Sequence, residues 1–130
     1  MSLSIKLHDS PSDLIPDYTV TGLVRWSLDQ VPKTVLIRLI WFTEGAGERD
    51  IYEADTQWAT HLTATGVRSF RLRIPTKPYS FRGRLVSVHW AIELIINDGE
   101  HVERLDIVVS PWNDILELEH LPKESNLLHW

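Results

Sequence analysis

Apolar and polar residues alternate with a period of two along most of the chain, the pattern of strands with one buried face. Between Tyr18 and Leu28, the residues Tyr18, Val20, Val24, Trp26 and Leu28 share one parity, and Thr19, Thr21, Arg25 and Ser27 take most of the other. This predicts a half-buried strand with a wet face. Gly22 lies within it, which points to a bulge or a close approach of another backbone. Lys33 to Thr43 is apolar on both parities, with Val35, Ile37, Leu39 and Trp41 against Leu36, Ile40 and Phe42. That predicts a central strand whose second face is covered by a loop or a partner. Glu44-Gly45-Ala46-Gly47 reads as a turn. Asp50 to Ala54 and Gln57 to Thr65 read as two shorter, more polar strands, the second closed by Gly66.

From Ser69 to Ile74 the alternation is clean, with Phe70, Leu72 and Ile74 inward and Arg71 and Arg73 outward. Pro75 and Pro78 end that strand, because proline brings no donor to a ladder. The longest strand signal runs from Arg84 to Asn97. Val86, Val88, Trp90, Ile92, Leu94 and Ile96 form one face, and Ser87, His89, Ala91 and Glu93 the other. Asn97-Asp98-Gly99-Glu100 reads as a hairpin turn, since Asp-Gly tolerates positive φ. Val102 to Ser110 is the return strand. Leu3, Ile5 and Leu7 mark a first strand, and Ile115 to Leu121 a last one. The spacing of strands and turns favours an all-β antiparallel sandwich over a barrel.

A length of 130 residues, 43% apolar and 24% charged, fits one domain with its own core. The expected division is a sandwich over residues 1–121 and an apolar tail over 122–130. There are no cysteines, so disulfides, thiolate metal sites and cysteine nucleophiles are excluded. No apolar run approaches the ~18 residues of a membrane-spanning helix. Met1 to Lys6 lacks the basic-then-apolar order of a secretory signal, and a cytoplasmic location is the expectation.

The stretch "FRLRIPTKPYSFRGRLVSVHWAIEL" resembles arrestin-like domains, in which a strand ends in proline and a P-x-S-[FY]-x-G turn leads into a long alternating strand. The matching positions are Pro78, Ser80, Phe81 and Gly83, then Val86, Val88, Trp90, Ile92 and Leu94. Upstream, "DYTVTGLVRWSL" and "KTVLIRLIWFTEG" are similar to the family's preceding strands. The resemblance implies one arrestin-like, immunoglobulin-like sandwich of about seven to nine strands. It spans roughly residues 3–120. Full arrestins have two such sandwiches, and this chain holds one, so the two-domain clasp and its polar core are not implied. Fold alone does not assign function.

Charge is segregated along the chain. Residues 1–55 carry a net −4, residues 56–92 a net +6 without a single acid, and residues 93–130 a net −7. The basic block makes Arg71, Arg73, Lys77, Arg82 and Arg84 the candidate contacts for an acidic or phosphorylated protein segment. Arg71 and Arg73, two apart on one outward face, hold their heads ~7 Å from each other. The structural alternative is pairing with the chain's own acids, such as Glu93, Glu103 or Asp106. The overall charge of −5 argues against nucleic acid.

The six histidines are His8, His61, His89, His101, His120 and His129, and no two stand two to four apart, so no local metal pair exists. His89 and His101 are left as a pair that approach across the hairpin. There is no G-x-S-x-G, and Ser80 and Ser87 have no adjacent base. Glu117 and Glu119 read as one wet strand face rather than a catalytic carboxylate pair. No glycine loop cradles phosphate. No catalytic, metal or cofactor residue is therefore assigned.

Six tryptophans is a high count for 130 residues. Trp26, Trp41 and Trp90 fall in phase with the core. Trp58 and Trp112 stay open as pocket or contact residues. The apolar end of the tail, Leu127, Leu128, His129 and Trp130, either folds back on its own sandwich or docks on another subunit, with Trp130 as the oligomer contact. Edge pairing makes homo-oligomerisation the accompanying expectation. The preferred function is a non-enzymatic interaction module that binds a protein through a sheet face or edge. The alternative is a sandwich that binds a carbohydrate or another small ligand through Trp58 or Trp112.

Overall fold

The computed structural model describes residues 1–45, 47–83, 86–110 and 116–117. They form an all-β sandwich of two sheets. Strands β1 (Ser2–Leu7), β2 (Thr19–Ser27) and β5 (Thr65–Arg73) make an antiparallel three-stranded sheet in the order β1-β2-β5. In the larger sheet, β4 (Glu48–Trp58), β3 (Val35–Gly45) and β7 (Ser87–Ile96) lie side by side. The far edge of β7 has two successive partners. β8 (His101–Ile107) pairs with it from Trp90 to Ile96, and the two-residue β6 (Phe81–Arg82) pairs with it at Ser87 and Val88. β9 (Leu116–Glu117) lies parallel to β6.

The alternation predicted from sequence decides which side chains meet between the sheets. Val20, Val24, Trp26, Phe70 and Leu72 project from the small sheet, and Val35, Ile37, Leu39, Trp90, Ile92, Leu94 and Ile96 from the large one. All of these are buried. Burial of side chains this large is worth about 1.5–3 kcal/mol each and is the main term holding the sheets together. Trp26 and Trp90 each find a partner for the indole N–H. Trp26 Nε1 donates to the Thr63 carbonyl at 2.8 Å and Trp90 Nε1 to the Pro78 carbonyl at 3.1 Å. Trp41 is half-buried at the margin of the core and stacks on Tyr52 with ring centroids 4.1 Å apart.

Gly22 is a close-approach position, as its place in the strand predicts. A Cβ there would lie 2.4 Å from the Lys6 carbonyl oxygen and 2.8 Å from the Phe70 ring. The hairpin after β7 also follows prediction, with Asn97, Asp98 and Gly99 at φ of 51°, 60° and 120°. Asn97 fixes the turn further, because its Oδ1 accepts the Lys33 N–H at 2.7 Å.

Two expectations change. Asp50–Ala54 and Gln57–Thr65 are not two strands. One strand, β4, runs through Glu48–Trp58, and its register against β3 shifts at Leu39/Ile40, where Ala54 is the extra residue of a bulge. The threonine-rich segment after it is a loop because its carbonyls are claimed elsewhere. Arg68 donates to the Thr60 and His61 carbonyls, Trp26 to that of Thr63 and the Leu28 N–H to that of Ala64. Gly66 then lies inside β5, facing Trp26, rather than closing a strand.

The second change concerns β3. It is central, as its two apolar faces predict, and among the described residues arginines rather than a loop cover its outer face. Ile40, Phe42 and Ala91 form a small buried cluster on that face. Arg49 from β4 and Arg104 from β8 each place a guanidinium 4.3 Å from the Phe42 ring centroid. The aliphatic stems and planar heads of arginine exclude water from the ring while keeping charge at the surface.

Candidate interaction site

The register of the small sheet determines its outer face. With Leu3, Ile5 and Leu7 turned to the core, Ser2, Ser4 and Lys6 face outward on β1. On the same face lie Thr19, Thr21, Leu23, Arg25 and Ser27 of β2, and Thr65, Val67, Ser69, Arg71 and Arg73 of β5. No acid occupies any of these positions. The cations fall in successive rows across the sheet: Arg73 beside Thr19, Arg71 beside Thr21, Lys6 in line with Leu23 and Ser69, and Arg25 between Ser4 and Val67. Successive rows are two residues apart, about 6.5–7 Å along the strand. The result is a staggered track of four cations, two on β5, then one on β1 and one on β2, set among serine and threonine hydroxyls.

Electrostatic pairing differs along the track. Arg73 is held by Asp17, which sits just before β2. Arg71, Arg25 and Lys6 have no ion-pair partner among the described residues, and all three are exposed. The acids named as internal partners for the arginines lie on the other sheet. Glu93 takes the Arg38 Nε at 2.8 Å, and Asp106 takes the Arg104 Nε at 3.0 Å. At the rim of the small sheet, the Tyr18 hydroxyl donates to Asp9 at 2.9 Å, and this bond together with the nearby negative charge raises the Tyr18 pKa above its usual 10.0.

The backbone edge of β5, which carries Arg71 and Arg73, is closed by side chains of β4. Gln57 accepts the Arg71 N–H at 3.0 Å and donates to the Ser69 carbonyl at 3.0 Å. Asp55 accepts the Arg73 N–H at 2.8 Å. The basic strand is therefore available through its face and not through its edge.

The five predicted basic contacts do not share one surface. Arg71 and Arg73 lie on the outer face of the small sheet, and Lys77 is exposed in the turn that follows β5. Arg82 lines a depression of about 300 Å³ on the large sheet, together with Phe42, Glu44, His89, Arg104 and Asp106. Arg84 lies outside the described residues, as do Trp112, Trp130 and the 122–130 tail. Sequence reasoning missed Lys6 and Arg25, which join the track only through strand register. Parity puts Arg25 on the wet face of β2, but the pairing of β2 with both β1 and β5 was not readable. His89 and His101 do not meet. They project from opposite faces of the large sheet, and His101 is registered with Ile96 at the far end of β7. His89 instead stacks on Phe42 with centroids 5.2 Å apart, and its Nε2 is 3.8 Å from Glu44.

The large sheet has its own exposed feature. Trp58, Leu36, Ile95 and Val102 form one row across β4, β3, β7 and β8. Trp58 is 55% exposed. Beside this row is a depression of about 330 Å³ lined by Thr34, Leu36, Arg38, Glu93, Ile95 and Asp98, among others. Among the described residues, no group of three or more histidines and acids is placed to hold a metal ion, and no helix is long and apolar enough to cross a membrane.

No family model matches the chain, and no curated protein matches it. Among solved structures, a β-glucosidase from Listeria innocua in complex with gluconolactone is similar in shape, with 10% sequence identity and a TM-score of 0.47. The similarity covers 88% of this chain and 16% of the β-glucosidase chain. At that TM-score the likeness has no bearing on what this protein does.

Proposed function

We propose that this protein is a non-enzymatic interaction module, an arrestin-like sandwich that binds an acidic or phosphorylated protein segment across the outer face of β1, β2 and β5. The observation that carries this reading is the track formed by Arg73, Arg71, Lys6 and Arg25, one cation per row, on a face whose strand positions hold no acid. An extended segment presents side chains of one parity every 6.5–7 Å, which matches the spacing of the rows. Arginine forks suit carboxylates and phosphates. The arrestin-like part of the reading is supported by the Pro78-to-Gly83 segment, which runs from the end of β5 through β6 toward the long alternating strand β7.

The test uses a labelled peptide that alternates phosphoserine and glutamate, with binding followed by fluorescence anisotropy. The Arg25→Glu/Arg71→Glu variant removes two unpaired cations and is expected to weaken binding at least tenfold. Arg82→Glu, on the other sheet, leaves binding within twofold. Equal binding by the wild type and a folded double variant overturns the assignment.

A second reading is favoured by Trp58, an exposed ring whose register neighbour Leu36 lines the Thr34–Asp98 depression. An aromatic face next to paired polar groups suits a neutral saccharide. A Trp58→Phe variant separates this ring's fluorescence response to a glycan panel from that of the other five indoles.

A further inference from the structure

The long strands at the sheet margins are β1 and β5 in the small sheet and β4 and β8 in the large one. A bare strand edge is a template for pairing with another chain, and three of these four are blunted. The outward backbone groups of β5 are occupied by Gln57 and Asp55. β4 is bulged at Ala54. β8 carries Glu103 at a core-side parity position, between His101 and Leu105. β1 has no bulge, no side chain bonded along its outer edge and no inward charge among the described residues, and its one charged residue is the outward Lys6. Its core-side residues are Leu3, Ile5 and Leu7, each partly exposed, and its outward residues are Ser2, Ser4 and Lys6.

The register shows which backbone groups of β1 are unused. The His8 N–H donates to the Thr21 carbonyl at 3.1 Å, continuing the β1–β2 ladder. By alternation, Ser2, Ser4 and Lys6 bond to β2, whereas the N–H and C=O groups of Leu3, Ile5 and Leu7 point to the open edge. Among the described residues no strand pairs with that edge.

We propose that β1 pairs antiparallel with β1 of a second copy of this chain, about a two-fold axis at Ile5. The sequence of β1 is complementary to itself in this register. Ile5 faces Ile5, Leu3 faces Leu7, and each Lys6 faces Ser4 of the other copy, so no like charges stand directly opposite. Leu3, Ile5 and Leu7 each exchange both backbone hydrogen bonds with the residue they face. The pairing is isologous, so it uses both open edges at once and closes. Two three-stranded sheets become one of six strands, and their basic faces become continuous. The inference stands apart from the docking reading, because it rests on the edge of the sheet and not on its outer face.

The test is sedimentation velocity on the full chain over a rising concentration series, with wild type, Ser4→Lys and Ser4→Glu. Ser4 is exposed and points away from the core, so both variants keep the fold, and circular dichroism checks this. Wild type is expected to pass from monomer to dimer. Ser4→Lys sets two like-charge pairs across the axis and weakens the dimer by about tenfold, and Ser4→Glu strengthens it by a similar factor. High salt narrows the difference between the two. Hydrogen exchange is expected to slow at Leu3, Ile5 and Leu7 as the dimer forms, with little change at Ser2, Ser4 and Lys6. A monomer at every concentration overturns the proposal. So does a dimer that responds to neither Ser4 substitution, or one whose protection appears at β4 or β8.

Discussion

At Gly66 the backbone of β5 passes so near the Trp26 indole that a Cβ would lie 2.3 Å from the ring. Trp26 is tethered by the bond from its Nε1 to the Thr63 carbonyl, so the ring cannot retreat without losing that bond. Gly66→Ala is expected to destabilise the fold by about 2–3 kcal/mol, measured by chemical denaturation. The need for glycine at position 22 is legible because that residue interrupts a strong alternation. At position 66 it is misleading, because a glycine after a polar run looks like a terminator. Phe42 poses the opposite problem, a large ring on a face that alternation marks as outward. Arg49 and Arg104 resolve it by covering the ring. Phe42→Ala should cost about 3–5 kcal/mol in the same measurement. Removing either arginine should cost only about 0.5–1 kcal/mol. Tyr18 supplies a titration test. Its raised pKa follows from the hydrogen bond to Asp9 and that residue's charge, both of which favour the neutral phenol. The associated stability is fully present below the unfolded pKa of the phenol and is lost as pH rises through the higher folded value. Asp9→Asn should return the Tyr18 phenolate transition, followed by ultraviolet absorbance, toward its ordinary pH.

Gln57 shows how one side chain can stand in for a neighbouring strand. Its amide offers an acceptor to the Arg71 N–H and a donor to the Ser69 carbonyl, the same two functions a facing peptide group would provide. Gln57→Glu keeps the acceptor and turns an oxygen toward the Ser69 carbonyl. It is expected to cost about 1–2 kcal/mol and to speed hydrogen exchange along β5. At this scale most of the fold was legible. β2, β7 and β8 lie where period-two alternation puts them, and β5 does so from Ser69 onward, since each turns one face to the core and the other outward. The Gln57–Thr65 segment was misread for a physical reason. Its threonines carry strand propensity, but the loop is fixed by Arg68, Trp26 and Leu28, residues distant in sequence that take its carbonyls. The bulge in β4 was hidden in the same way, because Ala54 is indistinguishable from a regular strand residue until the register with β3 is known.

Across the whole molecule, the basic block at residues 56–92 does not fold into one basic surface. It divides between the two sheets, with Arg71 and Arg73 on one and Arg82 on the other, while Arg68 turns inward to the loop before β5. The small sheet regains a continuous positive face only because Lys6 and Arg25, from a segment of net negative charge, are brought beside β5. The outward placement of Arg71 and Arg73 was therefore legible from parity, but the composition of the site was not, because it depends on which strands are neighbours. Several acids of the large sheet are matched to cations there, as Glu53 and Glu93 are to Arg38 and Asp106 is to Arg104. That leaves the small sheet's outer face as the place where unpaired charge of one sign collects. Such a field steers a partner of opposite charge and weakens with salt. The most direct test is a chemical-shift map of the isotope-labelled protein titrated with a peptide alternating phosphoserine and glutamate. The prediction is a contiguous set of perturbed amides at Lys6, Thr21, Leu23, Arg25, Ser69 and Arg71, lost at high salt. Perturbations centred instead on β3, β4 and β8, or none at all, would contradict a docking face on the small sheet.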